Sequence, residues 1–274
     1  MKIIEQHLLS KKGEVSGGED RICVTSRGDV LVVDGATQKT PYDFNGKSGG
    51  LLTAEICVAT LSELCGNESP RQIVDAFTQA VRRDLFERFN LQAKPGEDVP
   101  ACSFVMYAAH LGSVIRVGDC HFSIDGVANH GSKLIDRVNG ELRSAVNTSL
   151  LQTGRMTKDE IAAKDEGREA IMGLLLRQPL FMNQVAAGRF GYGCITSSPV
   201  PDQFIEVYPV PKGARVILAS DGYPELLPTL AASEKYLAEY LVSDPLMIGK
   251  HASTKGLAKG QVSYDDRAYI RFTS

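Results

Sequence analysis

Long apolar runs are missing from this sequence of 274 residues. No stretch approaches the roughly 18 consecutive apolar residues that a membrane-spanning helix needs. The first residues include Glu5, where a signal peptide would have its apolar segment, and this argues against export. We therefore expect a cytoplasmic protein with no membrane partner.

Runs of basic residues are also missing. The 30 lysines and arginines are outweighed by 33 acidic residues, which gives a net charge of -3. A nucleic-acid partner is excluded because such binding surfaces are strongly basic. The chain is 43% hydrophobic, and no linker rich in proline or serine divides it. We therefore predict one domain over residues 1–274, and we expect a monomer.

Several sequence signatures of reactive sites are absent. The six cysteines include no C-x-x-C pair, and most lie in apolar stretches, which favours reduced, buried thiols over disulfides or zinc ligands. The five histidines are scattered and form no H-E-x-x-H motif. Gly46-Lys47-Ser48 resembles part of a phosphate-binding loop, but Pro41 stands where that motif needs its first glycine.

Carboxylates at the ends of apolar strands are the informative feature that is present. The β-branched run at residues 30–33 ends in Asp34-Gly35, and Asp20 precedes the strand before it. The run at residues 215–220 ends in Asp221-Gly222, and Asp265-Asp266 opens the last strand. Buried carboxylates gathered without basic partners repel one another. The pattern therefore predicts a bound cation, and oxygen-only ligands suit magnesium or manganese.

The order of the predicted elements indicates the fold class. Strands near residues 2–9, 21–26 and 29–34 precede two helices, one at residues 51–65 and one opening at Ser69-Pro70. The second helix has an apolar stripe at positions 73, 77, 81 and 85, which predicts one buried face.

Strands follow from residue 101, with Asp125-Gly126 as an ordinary turn. Residues 128–200 are predicted to form an irregular, flap-like insert. Within it, a capping box at residues 157–160 opens a helix towards Ala163, and a second helical stretch covers residues 168–176. Strands and helices are segregated, so we predict an α+β fold with two mainly antiparallel sheets, about ten strands, two long helices and helices on the outer faces.

Six motifs occur in one order along the chain. They are Glu19-Asp20, Asp34-Gly35, Gly49-Gly50 with Glu55, Val117-Gly118-Asp119, Ala219-Ser220-Asp221-Gly222, and Ser263-x-Asp265-Asp266. Their order and spacing resemble the type 2C metal-dependent (PPM-type) Ser/Thr protein phosphatases, in particular bacterial members, over essentially the whole chain. The resemblance implies a four-layer α-β-β-α sandwich. It also implies removal of phosphate from phosphoserine and phosphothreonine proteins by a two-metal centre.

The resemblance also implies a role for each matching residue. Asp34 matches the aspartate that bridges the two Mn²⁺ or Mg²⁺ ions, and Gly35 matches a residue that offers its carbonyl. Asp221 and Asp265 match ligands of the first metal. Catalysis is then expected to act through the metal-bridging water held by Asp34 and Asp221, with no protein nucleophile.

The remaining matches concern the periphery of that centre. Glu19 and Asp20 match an acidic pair that acts largely through bound water. Asp119 matches an aspartate that, with Asp221, binds a third and weaker metal in bacterial relatives.

Some positions depart from the family's pattern. Val15 stands where an arginine usually holds substrate phosphate. Lys11 or Lys12 is a candidate substitute, although lysine lacks the bidentate fork of arginine. Ala36 replaces a histidine that serves as general acid in some relatives, and Asp266 replaces a common asparagine. An insert from 37 to 48 displaces the usual Gly-Gly.

Three functions remain open from the sequence. The first is a phosphoserine/phosphothreonine protein phosphatase, and it is favoured. The second is a phosphatase of the same chemistry that acts on a small phosphate ester. The third is a metal-binding pseudophosphatase that serves as a regulatory binding module. Retention of the acidic residues argues against this third possibility, because a pure binding role gives no reason to keep them.

Overall fold

The computed structural model describes residues 1–15, 18–39, 43–92 and 96–274. These parts of the chain contain ten strands. They are β1 (Lys2–Leu9), β2 (Arg21–Val24), β3 (Val30–Gly35), β4 (Cys102–Ala108), β5 (Ser113–Val117), β6 (His121–Ile124), β7 (Val127–Asn129), β8 (Glu206–Pro209), β9 (Arg215–Ala219) and β10 (Arg267–Thr273).

Six α-helices accompany the strands in the described ranges. They are α1 (Gly49–Glu63), α2 (Pro70–Val81), α3 (Leu134–Gln152), α4 (Lys158–Ala163), α5 (Glu166–Leu175) and α6 (Leu230–Ser243). A π-helical turn extends α2, and four short 3-10 helices lie between the other elements. None of the helices in these ranges combines the length and apolar composition that crossing a bilayer requires.

The strands form two five-stranded sheets in which every pairing is antiparallel. The first sheet has the order β2-β3-β4-β5-β8, and the second has the order β1-β10-β9-β6-β7. The predicted antiparallel sheets and the predicted number of strands are therefore confirmed.

The central strand β3 shows how the layers stack. Successive side chains of a strand point to opposite faces. Leu31 and Val33 pack in one apolar cluster with residues of α1 and α2, whereas Val30 and Val32 pack in a second cluster with residues of β9 and β10. Strand β3 is therefore apolar on both faces, because it lies between a helical layer and the other sheet.

The outer face of the second sheet is covered by α6. The side chain of Leu230 packs against an apolar cluster that includes Ile217 of β9 and Tyr269 of β10. Glu234 accepts hydrogen bonds from Tyr223 and Arg267. The layers therefore run helix, sheet, sheet, helix, which confirms the predicted α-β-β-α sandwich.

Local sequence signals account for the first two helices. Ser48 caps α1 by accepting a hydrogen bond from the Leu51 amide. Ser69 forms a capping box at the start of α2, with Pro70 in the first turn, as the sequence predicted. The predicted apolar stripe of α2 is buried against the first sheet.

The prediction of an irregular insert at residues 128–200 was wrong in one respect. The 19-residue helix α3 lies there and was not predicted, whereas α4 and α5 confirm the helices predicted at 157–163 and 168–176.

The buried face of α3 includes the polar residues Asn139, Arg143 and Asn147. Apolar residues recur every four positions from 134 to 150, a periodicity that is typical of a helix, but Val138 and Leu142 in this stripe are exposed. The described ranges therefore contain a third long helix before α6, beyond the two that were predicted.

Candidate metal centre

Antiparallel pairing brings the acidic strand ends to one edge of the sandwich. Asp34 and Gly35 end β3, and β2 begins beside them because Arg21 is paired with Val33. Asp20 therefore lies next to the end of β3. In the second sheet, the end of β9 lies beside the start of β10, where Ala219 is paired with Tyr269.

We call the resulting group of seven carboxylates the acidic centre. Its members are Glu19, Asp20, Asp34, Asp119, Asp221, Asp265 and Asp266.

Asp34 is surrounded by like charges. Burial raises its pKa well above the usual range, and repulsion from four other aspartates of the acidic centre raises it further. In decreasing order of effect, these are Asp221, Asp20, Asp119 and Asp265. The pKa of Asp221 is also raised well above the usual range by burial and by its aspartate neighbours. The structure thus brings together the residues that the sequence singled out.

Asp20 is the most deeply buried member that lacks a basic partner, with 2% of its surface exposed. Burial is the main reason that its pKa is raised to about 8; a hydrogen bond from Ser220 opposes the shift, and repulsion from Asp265 adds to it. Its Oδ2 atom is buried and has no hydrogen-bond partner among the described residues. A buried, unpartnered carboxylate oxygen is costly, and a bound cation removes that cost.

Glu19 is held by two hydroxyl groups, one just after β3 and one at the N-cap of α1. Thr37 donates to its Oε2 atom, and Ser48 donates to its Oε1 atom. Gly50, in the first turn of α1, leaves so little space that a Cβ atom there would lie 2.9 Å from Glu19 Oε1. A Cβ atom on Gly35 would lie 2.7 Å from the Gly50 carbonyl. Both glycines are therefore needed for the close approach of β3 to α1.

The expectation that the acidic groups have no basic partners was wrong. The Lys133 Nζ atom lies 2.9 Å from Asp119 Oδ2, and the Lys255 Nζ atom lies 2.7 Å from Asp265 Oδ2. Both lysines come from segments without periodic pattern, one just before α3 and the other in the loop after α6. No local sequence signal links them to the strand ends, which is why sequence reasoning missed them.

Asp119 is fully engaged by protein groups. Its Oδ2 atom is paired with Lys133, and its Oδ1 atom accepts a hydrogen bond of 2.6 Å from Ser103 Oγ. Burial alone would raise the pKa of Asp119, but Lys133 and Ser103 outweigh burial and lower it. Ser103 was not predicted from the sequence either. It is paired with Asp34 in the first sheet, so only the strand register reveals it.

The loop that carries Lys255 is held by two arginines. Arg143 has no exposed surface, and its guanidinium donates to the carbonyls of Leu246 and Ser253 at 2.8 and 2.9 Å. The same group is paired with Asp165 at 2.7 Å. Arg168 donates to the Thr254 carbonyl. Polar contacts from α3 and α5 thus hold Lys255 at the acidic centre. Both helices lie within residues 128–200, the segment predicted to be an insert.

The carboxylate of Asp266 joins two segments by accepting a backbone hydrogen bond from each of them. Its Oδ1 atom accepts from the Lys11 amide at 2.8 Å, and its Oδ2 atom accepts from the Glu19 amide at 3.0 Å. The Lys11 Nζ atom lies 3.7 Å from Asp266 Oδ2 and 3.4 Å from Thr37 Oγ1. Lys11 therefore reaches the acidic centre.

The other sequence candidates for a phosphate clamp lie elsewhere. The Lys12 side chain is exposed and forms no ion pair with any described residue. Val15 is 72% exposed, and Ala36 is also exposed at the end of β3. Of the two lysines proposed from the sequence, the structure therefore brings only Lys11 to the acidic centre.

The donor chemistry fits a hard divalent cation. Over the described ranges, no three His, Cys, Asp or Glu side chains converge closely enough to hold a metal ion, and repulsion among carboxylates opposes such convergence. The acidic centre has seven carboxylates, and the ammonium groups of Lys11, Lys133 and Lys255 lie beside them. When all these groups are ionised, the net charge is -4. Two divalent cations balance that charge, and oxygen donors are what Mg²⁺ and Mn²⁺ prefer.

Comparisons with known proteins gave matches to solved structures alone. No protein-family model and no curated protein matches the sequence. The Mycobacterium tuberculosis serine/threonine phosphatase PstP/Ppp is 14% identical, with a TM-score of 0.49 over 98% of this chain and 97% of that one. The PPM Ser-Thr phosphatase MsPP from Mycobacterium smegmatis is 16% identical, with a TM-score of 0.48 over 99% and 98%.

A third solved structure is similar to the same extent. Serine/threonine phosphatase Stp1 from Staphylococcus aureus is 14% identical, with a TM-score of 0.49 over 100% of this chain and 95% of that one. All three similarities extend along nearly the whole chain. At identities of 14–16% they concern the course of the backbone and do not identify the residues of a site.

Proposed function

We propose that this protein is a metal-dependent phosphatase that hydrolyses phosphoserine and phosphothreonine in proteins. The observation that carries the proposal is the group of buried carboxylates at one end of the sandwich, in which Asp20 keeps an unpartnered buried oxygen. Ionised carboxylates in such an arrangement repel one another, and a bound cation removes that repulsion.

The residues that would hold Mn²⁺ or Mg²⁺ are those with raised pKa values. Asp34, Asp221 and Asp20 form this group, with the Gly35 carbonyl beside them. We propose Glu19 as a further ligand, acting at the edge of the site, whereas Asp265 is paired with Lys255. A bound divalent ion supplies a water of lowered pKa and neutralises charge on the phosphoryl oxygens.

The chain's own thiols do not compete with water as the nucleophile. Burial raises the pKa of Cys120 well above its ordinary value, and repulsion from Asp34 and Asp119 adds to the shift. Burial likewise raises the pKa of Cys194 to about 12. Both cysteines therefore stay as thiols near neutral pH, and the thiolate is the nucleophilic form. We therefore propose that water, and neither of these two thiols, attacks phosphorus.

Lys11 is our candidate for contact with the substrate phosphate. Its ammonium group already lies beside Thr37 and Asp266 at the edge of the acidic centre. An ammonium group binds phosphate as a point charge rather than through a bidentate fork. We therefore expect weaker phosphate binding than an arginine in its place would give.

The deciding experiment measures turnover of an aryl phosphate with Mn²⁺, with Mg²⁺ and after chelation. Asp34→Asn is the test variant, and Asp125→Asn is the matched control. Asp125 lies in the turn between β6 and β7 with a positive φ of 49°, a conformation that asparagine tolerates well. We expect activity that needs the metal, is abolished by Asp34→Asn and is kept by Asp125→Asn. Equal activity of Asp34→Asn and the wild type would refute the proposal.

The substrate class needs a second assay. We expect phosphoserine and phosphothreonine peptides to be hydrolysed faster than sugar phosphates under the same conditions. The reverse order would support the small-ester alternative of the same chemistry.

One observation favours a different function. Lys133 and Lys255 already neutralise two acidic residues that the sequence assigned to metals, as expected of a regulatory binding module that has lost part of its metal site. Wild-type protein that binds Mn²⁺ but turns over neither aryl phosphate nor phosphopeptide would make this alternative the leading one.

We also propose that the whole chain is one domain and that it is a cytoplasmic monomer. The pairing of β1 with β10 supports the single domain, because it joins the two ends of the chain in one sheet. The free state of all six cysteines, four of them buried, supports a reducing compartment. Sedimentation analysis tests the oligomeric state.

A further inference from the structure

We propose that the Lys133 ammonium group is the resident cation of Asp119 and excludes a divalent ion from this aspartate. The inference deepens the proposed metal site, because it limits the number of metal ions that the acidic centre accepts. It also reverses the expectation from the family resemblance, in which Asp119 would bind a third metal together with Asp221.

The position of Lys133 is fixed on several sides. Lys133 immediately precedes α3, so its backbone is tied to a helix of 19 residues. Its Nζ atom lies 2.9 Å from Asp119 Oδ2 and 5.3 Å from the centre of the Tyr192 ring. A cation over an aromatic face is attracted by the ring. These contacts hold a charged group where an exchangeable ion would otherwise bind.

Asp119 has little capacity left for a metal. Ser103 donates to Oδ1, and Lys133 is paired with Oδ2. A metal on Oδ2 would have to displace an ammonium group whose side chain is only 15% exposed. The displaced charge would then lack its partner in a poorly solvated site, which is unfavourable. Asp20, by contrast, offers an oxygen with no described partner.

The test counts bound Mn²⁺ per chain by equilibrium dialysis and elemental analysis. Lys133→Met removes the ammonium group, and Lys133→Met combined with Asp119→Asn removes both partners. Asp119→Asn alone keeps Lys133 and removes the carboxylate. The matched control is Lys235→Met, because Lys235 forms an exposed ion pair with Glu239 at 3.8 Å.

We expect Lys133→Met to bind one more Mn²⁺ per chain than the wild type and the double variant to lose that extra ion. The counts of Asp119→Asn and Lys235→Met should equal the wild-type count. Equal counts in Lys133→Met and the wild type would overturn the inference, as would the loss of one ion in Asp119→Asn. If Lys133→Met does not fold, the Asp119→Asn count alone decides.

The Mn²⁺ counts distinguish a failure of the role of Lys133 from a failure of the proposed function. Wild-type protein that binds no Mn²⁺ contradicts the proposed metal centre. A gain of one ion in Lys133→Met would still support the role of Lys133 in that case. Two bound ions in both proteins would keep the metal centre and reject the role of Lys133.

Discussion

Asp20 and Asp119 are both buried aspartates next to strands in the same acidic centre, yet their pKa values shift in opposite directions. Burial raises the pKa of Asp20 to about 8, and no basic group compensates. The pKa of Asp119 is lowered because Lys133 and Ser103 outweigh burial, which alone would raise it. The difference between the two aspartates is the ammonium group of Lys133, whose Nζ atom lies 2.9 Å from Asp119 Oδ2. Burial of a carboxylate therefore predicts a cation site only where the protein has not supplied its own cation.

The comparison divides the acidic centre into two sides. On the paired side, Asp119 and Asp265 each have a lysine partner. On the unpaired side, Asp20 and Asp34 have raised pKa values. The paired side is built to be stable without metal, whereas the unpaired side depends on one. The following predictions test this division.

The largest effect is expected from Arg143→Met, which disrupts the support of the paired side. Its buried guanidinium is paired with Asp165 and holds the loop that carries Lys255. Breaking a buried pair by removing one partner costs about 3–5 kcal/mol. We expect a loss of stability in that range in urea unfolding. A loss below about 1 kcal/mol would mean that the loop has other supports.

Lys133→Met should make Asp119 resemble Asp20. Without the ammonium group, burial dominates and the pKa of Asp119 rises above its ordinary value. We expect the metal-free variant to lose about 3 kcal/mol of unfolding free energy at pH 7. The exposed pair removed by Lys235→Met should cost less than about 1 kcal/mol. Similar losses in both variants would show that Lys133 and Asp119 are not coupled.

Asp20→Asn should remove a pH dependence from the metal-free protein. The folded-state pKa of Asp20, about 8, lies above its ordinary value of 3.8, so folding takes up a proton between these values. The contribution of this proton to stability is present below pH 4 and is lost as the pH rises towards 8. We expect wild-type stability in chelator to fall over this window. The fall should be smaller in Asp20→Asn, and an unchanged slope would place the titrating group elsewhere.

Lys11→Met should give the smallest effect and tests the edge of the acidic centre, where Lys11 lies beside Asp266. We expect the KM for an aryl phosphate to rise about tenfold, which corresponds to about 1.4 kcal/mol, with little change in kcat. Lys12→Met is the matched control, because its exposed side chain forms no ion pair with a described residue. Equal KM values in the two variants would remove Lys11 as a phosphate contact.

The sequence predicted the unpaired side well and the paired side poorly. Asp20 and Asp34 flank strands whose β-branched pattern is readable, and antiparallel pairing places such ends together. Lys133 and Lys255 approach their partners from the residue before α3 and from the loop after α6, outside the readable strands. Tertiary packing alone determines these pairs, so no local pattern reveals them.

Helix α3 was missed for a related reason. Its buried face carries Asn139, Arg143 and Asn147, and the partners of Arg143 and Asn147 lie in other segments. Apolar residues do recur every four positions from 134 to 150, but Val138 and Leu142 are exposed, so this stripe does not mark the buried face. The apolar stripe of α2, by contrast, is the face that packs against the first sheet, and it was predicted.

The N-terminus of α1 gives the acidic centre a further source of positive charge. Ser48 caps this helix and also donates to Glu19, which lies against Gly50 in the first turn. The aligned peptide dipoles of a helix place about half an elementary charge at its N-terminus. This charge cannot be titrated by acid, extracted by a chelator or exchanged for another ion. It therefore belongs to the protein at every pH at which α1 is folded, and its field favours phosphate over neutral ligands at this edge of the sandwich.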